Sequence, residues 1–258
     1  MSHPEDIRSV EPAYYNRKFL DGDDGRPVRI LSEYLEPLNR FKREGIHDTI
    51  VFFGSARMKE DGPMGHYYKD ARALAIKMTE WSKNLPESNR FVICSGGGGG
   101  IMEAANRGAA DAGGSTIGLN IGLPHEQRPN PYITPALSFE FHYFFMRKLW
   151  FTHMARALVV FPGGFGTLDE FMETLTLAQT RKIDRDILIL LYGTEYWNEI
   201  INFKALIKHG MIAAEDMSLI HPVDSVQSAY DLLTSRLPKG KEAQCPSFAK
   251  ANFCKIKE

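Results

Sequence analysis

A chain of 258 residues that is 43% apolar, with 31 basic and 32 acidic side chains and a net charge near −1, can bury a full core and carries no charge excess suited to nucleic acid. Its three cysteines, Cys94, Cys245 and Cys254, have neither metal-ligand nor disulfide-framework spacing, no apolar run reaches membrane-spanning length, and the polar N-terminus is unlike a secretory signal. A soluble, cytoplasmic protein is expected, with no bound metal and no membrane or nucleic-acid partner.

Residues 1–46 are expected to form a helical N-terminal extension. Beyond a turn-forming stretch at residues 21–27, Ile30, Leu31, Tyr34, Leu35, Leu38 and Phe41 recur at helical spacing between Val28 and Glu44. Such a helix packs on the main domain or on a partner subunit. The main domain is expected at 47–237. Its first strand, residues 49–53, ends at Gly54-Ser55-Ala56-Arg57, and a helix follows over 64–84. A second strand at 91–94 runs into Ser95 and five glycines, Gly96 to Gly100, before a helix that reaches Ala112; a third strand follows at 115–119. Residues 120–135 hold four prolines and read as a long loop of the kind that binds ligands.

A short strand is expected at 137–141, a helix at 143–155, a strand at 157–161 and a helix from about Thr167 to Gln179. A strand at 186–191 and helices at 196–208 and 225–237 complete the domain. Residues 238–258 are rich in lysine and without period, a C-terminal tail expected to be disordered or draped over the surface. Alternating strands and helices predict an α/β fold: a Rossmann-like, doubly wound, mostly parallel sheet in a three-layer αβα arrangement. Ligands of such sheets bind beyond the carboxyl ends of the strands. Three strands end in small residues, at Gly54-Ser55, at Ser95 to Gly100 and at Gly163-Gly164, and these ends are expected around one crevice.

The stretch Pro162-Gly163-Gly164-Phe165-Gly166-Thr167 follows an apolar strand and opens a helix, which places converging backbone N–H groups and a helix N-terminus where an anion can sit. Glu170 adds a carboxylate one turn later. Thr167 and Glu170 have the spacing of a capping box as well, so Glu170 alone admits a purely structural role. The glycine run at 96–100 has no Lys-Ser/Thr pair after it, which excludes a P-loop, and Ile101, Met102 and Glu103 stand where a dinucleotide fingerprint needs its third glycine. No paired-cysteine or His-Glu-x-x-His metal site and no Gly-x-Ser-x-Gly elbow is present.

Taken together, Gly54-Ser55-Ala56-Arg57, the Ser95–Gly100 run, Met146-Arg147-Lys148 and Pro162-Gly163-Gly164-x-Gly166-Thr167-x-x-Glu170 resemble the LOG (LONELY GUY) family, long labelled lysine decarboxylases, over about residues 48–210. The longer bacterial type is the better match in length. The resemblance implies a cofactor-free phosphoribohydrolase that cleaves nucleoside 5′-monophosphates, AMP or cytokinin riboside monophosphates, to free base and ribose 5-phosphate. It implies Arg147 and Glu170 as the catalytic pair. Substrate-binding positions are implied at Ser55, Gly97, Gly98, Met146, Lys148, Gly163, Gly164, Gly166 and Thr167, with Glu173, one turn beyond Glu170, in support.

On this reading the 5′-phosphate sits at the Gly164–Thr167 turn. Glu170 stabilises positive charge on the ribose and takes a proton from water. Arg147, whose guanidinium stays charged, orients the substrate. A pyridoxal-dependent decarboxylase finds no suitably placed lysine. The family precedent is a homodimer, which the aromatic stretch 142–146 beside Arg147 fits. The alternatives are a non-catalytic carrier of a phosphorylated small molecule such as molybdenum cofactor, and a single-strand DNA binder, against which the balanced charge argues.

Overall fold

The structure, a computed structural model, is described for residues 12–122, 128–183 and 186–237. The 238–258 tail and part of the 120–135 loop therefore lie outside the described residues. Two N-terminal helices, α1 (Arg17–Asp21) and α2 (Arg26–Arg43), lead into β1 (Asp48–Phe53) and α3 (Gly65–Lys83). Next come β2 (Phe91–Ser95), α4 (Ile101–Asp111), β3 (Thr116–Ile121) and β4 (Ser138–Phe141). The second half runs α5 (Phe144–Met154), β5 (Ala155–Val160), α6 (Phe165–Gln179), β6 (Leu188–Tyr192), α7 (Thr194–Ile200), α8 (Phe203–Lys208), β7 (Ile220–Val223) and α9 (Val226–Arg236).

Among the described residues the seven strands form one sheet, in the order β4-β3-β2-β1-β5-β6-β7, and every pairing is parallel. The expected mostly parallel sheet is thus parallel throughout. β1 is its central strand, and all six of its residues are buried. That is why Thr-Ile-Val-Phe-Phe reads as a continuous apolar run rather than an alternation: both faces are covered. The period of two still sorts the side chains. Ile50 and Phe52, with Ile93, Val159 and Leu190, pack against α3, α4 and α9; Val51 and Phe53, with Leu158, Val160 and Leu191, pack against α5 and α6. The result is the three-layer αβα arrangement.

α2 joins the second of these layers. Phe41 packs at a tilt against Phe139 and Trp150, with ring centroids 4.8 and 5.3 Å away, and the Trp150 indole N–H donates to Glu33 O at 3.0 Å. Arg40 donates to Ser138 O at 2.7 Å, tying α2 to the edge strand β4. At the base of the central pair, Arg156 donates to the buried Asp48 carboxylate at 2.9 Å.

Several boundaries differ from expectation for identifiable reasons. α6 begins at Phe165 with Gly164 as its N-cap, so Thr167 stands inside the first turn and the capping-box alternative does not apply. The single helix expected over 196–208 divides at Ile201-Asn202, where Asn202 caps α8 by accepting from Ala205 N at 2.9 Å. β7 carries Pro222 and was not expected; it lies at the sheet edge, where a missing N–H is tolerated.

Candidate active site

The strand order reverses between β1 and β5, and the loops leaving their carboxyl ends flank a cleft of about 1110 Å3. That is large for a small-molecule site, for which about 300–1,000 Å3 is usual. Beyond β1, Gly54 to Met58 form one wall; beyond β5, Pro162 to Leu168 and Glu170 form another; Gly96 from the β2–α4 turn, Met102 in the first turn of α4, and Asn120 and Ile121 at the end of β3 complete the lining on that side. The three small-residue strand ends thus meet in one place.

The parallel ladder runs on past the strands. Phe161 N donates to Phe53 O at 2.8 Å and Ser55 N donates to Pro162 O at 3.0 Å, while Ser55 O accepts from Ile101 N at 3.1 Å. Ser55 therefore fastens the β5 turn to the start of α4. Gly163 lies inside this junction. A Cβ there would overlap the Thr167 side chain and stand 3.0 Å from Ser55 N. Gly164 and Gly166 have nothing within 4 Å on the side where a Cβ would project. The α6 N-terminus is thus open to the cleft, and among the described residues no side chain caps its first-turn N–H groups. An anion is the natural occupant of such a turn. Tyr196 steadies it from α7 by donating from its hydroxyl to Gly163 O at 2.8 Å.

Arg147, on α5, and Glu170, on α6, form an ion pair from Nη2 to Oε1, with side chains only 11% and 12% exposed. Burial pushes the Glu170 carboxyl above its ordinary range; the Arg147 charge and hydrogen bond oppose the rise without cancelling it. Arg147 Nε is buried without a hydrogen-bond partner among the described residues, and its guanidinium lies 5.6 and 5.3 Å from the Phe144 and Phe151 ring centroids. A buried carboxylate and a guanidinium with a donor to spare therefore stand beside an anion cradle in one cleft.

The remaining expected residues divide. Ser55, Gly163, Gly164, Gly166 and Thr167 line the cleft with Arg147 and Glu170. Met146 is buried in the core. Lys148 faces a different way: its ammonium binds Asp169 at 2.7 Å and Glu173 at 3.1 Å, outside the lining. Burial alone would lower the Lys148 pKa, but these two carboxylates outweigh it and raise it. Gly97 and Gly98 are likewise outside the lining, their carbonyls accepting from Asn130 Nδ2 at 3.1 and 3.0 Å.

The sequence reading missed Arg57, Lys59, Asn120, Phe144, Phe165 and Tyr196, which all line the cleft. Of these, Asn120 had only a weak signal, a polar residue just past the strand predicted at 115–119, in a stretch that reads as loop. Phe165, 93% exposed at the rim, had none.

Two chemistries find no support in this lining. Cys94 is buried beneath the ion pair, and burial raises its thiol pKa, the opposite of an activated nucleophile. A pyridoxal Schiff base requires a desolvated lysine, whereas Lys59, the lysine of the lining, is exposed on the β1–α3 loop. Among the described residues no group of three or more His, Cys, Asp or Glu is placed to hold a metal ion, and no helix is long and apolar enough to cross a membrane.

Residues 102–233, half of the chain, match the family model described as "Possible lysine decarboxylase". The chain belongs to this family, the LOG family. Curated LOG relatives include the cytokinin riboside 5′-monophosphate phosphoribohydrolases LOG7 of Arabidopsis thaliana and LOG of Oryza sativa subsp. japonica. The first is 25% identical over 218 residues, 78% of this chain and 90% of the relative. The second is 27% identical over 188 residues, 72% of this chain and 69% of the relative. Among solved structures, a structural-genomics target superposes with a TM-score of 0.53 at 19% identity, covering 73% of this chain and 99% of that one. The molybdenum cofactor binding protein of Rippkaea orientalis gives 0.50 at 19%, covering 73% and 96%. At that identity these two likenesses speak for the fold.

Proposed function

We propose that this LOG-family protein hydrolyses the N-glycosidic bond of a nucleoside 5′-monophosphate, AMP or a cytokinin riboside monophosphate, to free base and ribose 5-phosphate. The observation that carries the reading is the buried Arg147–Glu170 pair beside the open N-terminus of α6. The curated relatives named for this reaction support it. The 5′-phosphate binds the Gly164–Thr167 turn, and this remote contact holds the ribose over the pair. Departure of the base leaves positive charge on the sugar, which the Glu170 carboxylate stabilises before accepting a proton from the attacking water. Arg147 remains charged throughout and orients Glu170 and the substrate.

Base release from AMP, isopentenyladenosine monophosphate and adenosine, followed by chromatography, tests the reading. Release from the monophosphates and not from adenosine is expected. Folded protein that releases no base and instead retains a phosphorylated ligand through purification would overturn it in favour of a carrier.

The reading extends to self-association. Leu31 and Leu35 on α2 and Phe145 and Leu149 on α5, the helix that carries Arg147, are apolar side chains exposed by 37–54%. A homodimer is expected in light scattering at micromolar concentration, and a monomer there would contradict it.

A further inference from the structure

Asn120 lies at the end of β3, 4% exposed, in the wall of the cleft. Its amide Nδ2 donates to Phe139 O at 2.9 Å and to Gly118 O at 3.4 Å. Both partners are carbonyl oxygens, so the orientation of the amide is fixed: reversing it would set oxygen against oxygen. Oδ1 is left as the unused acceptor of the group: it rests against Gly97, and no donor among the described residues reaches it. The neighbouring turn is shaped around this oxygen. Gly97 has φ +75°, and a Cβ there would overlap the Asn120 amide. The Gly97 N–H is itself committed to Ser95 Oγ at 3.0 Å. Gly97 thus makes room for an acceptor that none of the described residues uses.

The position along the cleft indicates which part of a ligand meets it. β3 is three strands from β5, about 14 Å at the usual strand spacing. The anion cradle stands at the β5 end. The ion pair lies between: the Cβ position of Gly96, at the end of β2, is 3.9 Å from Arg147 Nη2. A nucleotide laid from cradle to Asn120 has its phosphate at one end, its ribose at Arg147–Glu170 and its base edge at Oδ1.

We propose that Asn120 is a specificity-determining residue whose Oδ1 accepts a hydrogen bond from the exocyclic amino N–H of the base. The cleft then selects bases that carry such a donor and discriminates against analogues without one. A singly N6-substituted adenine keeps one N–H and remains in the accepted class; a C6–H purine does not. The inference rests on the nucleotide reading of the cleft.

The test compares AMP with purine riboside 5′-monophosphate, which has C6–H in place of C6–NH2, on the full chain and on Asn120→Ala. For the unaltered chain, kcat/KM is expected to favour AMP by about tenfold to a hundredfold, as befits one hydrogen-bonding position in a desolvated site. In Asn120→Ala the ratio is expected to fall to within about threefold of one, the change falling on AMP alone. Equal rates on the two nucleotides in the unaltered chain would overturn the proposal. So would a variant that slows both equally, the signature of a contact to ribose or of a purely structural role.

Equilibrium binding of the same two nucleotides, to the unaltered chain if it releases no base and otherwise to Glu170→Gln, decides the matter without the Asn120 variant and without turnover. If neither nucleotide releases base, hydrolysis fails as a reading while the ratio of dissociation constants still judges Asn120, and binding of neither overturns both.

Discussion

Glu170→Gln is expected to lower base release by about 10²–10⁴-fold while leaving the fold intact, the range that a general base contributes. Gln keeps an oxygen that accepts from Arg147 and nearly the same volume, so the packing of α5 on α6 survives. It removes the one group of the pair able to carry a proton. The same residue sets the pH dependence. Burial holds the Glu170 carboxyl above the ordinary range, so the acid limb of kcat/KM lies above that of a free glutamate, with activity lost as pH falls through the raised value.

The stability effect has the opposite sense to that of a common ion-paired carboxylate. With its folded value above its unfolded one, Glu170 favours the fold below the unfolded value, and that contribution is lost as pH rises through the folded value. Relative to the Gln variant, the unaltered chain therefore gains stability on the acid side. Thermal melts of both proteins across pH 4 to 8, beside a pH–rate profile, check the two together. Turnover retained in Glu170→Gln would remove Glu170 from the chemistry.

Gly163→Ala is the second large effect. The added Cβ would overlap Thr167 and crowd Ser55 N, whose hydrogen bond to Pro162 O joins the β5 turn to the β1 loop. Overpacking of this kind costs about 1–3 kcal/mol of stability. The functional loss is expected to be larger, since displacing a binding turn by about 1 Å can cost about 10²-fold in rate. Gly164→Ala is the matched control: its Cβ meets nothing within 4 Å, so the fold should keep its melting temperature. The two variants together separate the turn's geometry from its openness. Equal melting temperatures and equal rates for the two would contradict the account of Gly163.

Much of this was legible in the residues. The apolar runs at 49–53 and 157–161 and the small residues after them placed the central strands and the crevice, because two-sided burial and close backbone approach each constrain residue type strongly. Other features depended on tertiary partners. Lys148 sits next to Arg147 in the chain, yet the helix turns it toward Asp169 and Glu173, and spacing alone does not say which neighbour enters a cleft. β7 was hidden by Pro222, acceptable only because the strand is last in the sheet. Thr167 is a good N-cap type and so reads as the start of α6; the helix instead begins at Phe165, and its N-cap, Gly164, has no side chain to bond the first turn. Asn120 fell in a segment that reads as loop, and only the extension of β3 to Ile121 brought it to the strand end.

The strand order bears on how the molecule is made. β1 is paired on one side by residues 91–95 and on the other by residues 155–160. A chain leaving the ribosome has its central strand early, yet one long edge of that strand stays unpaired until more than a hundred further residues have been synthesised. An apolar edge of that kind is a template for association with other chains. The segment that closes it brings the anion cradle and Glu170 directly behind. Concealing the hazard and bringing the anion cradle beside the β1 loop are therefore the same event in the life of the nascent chain.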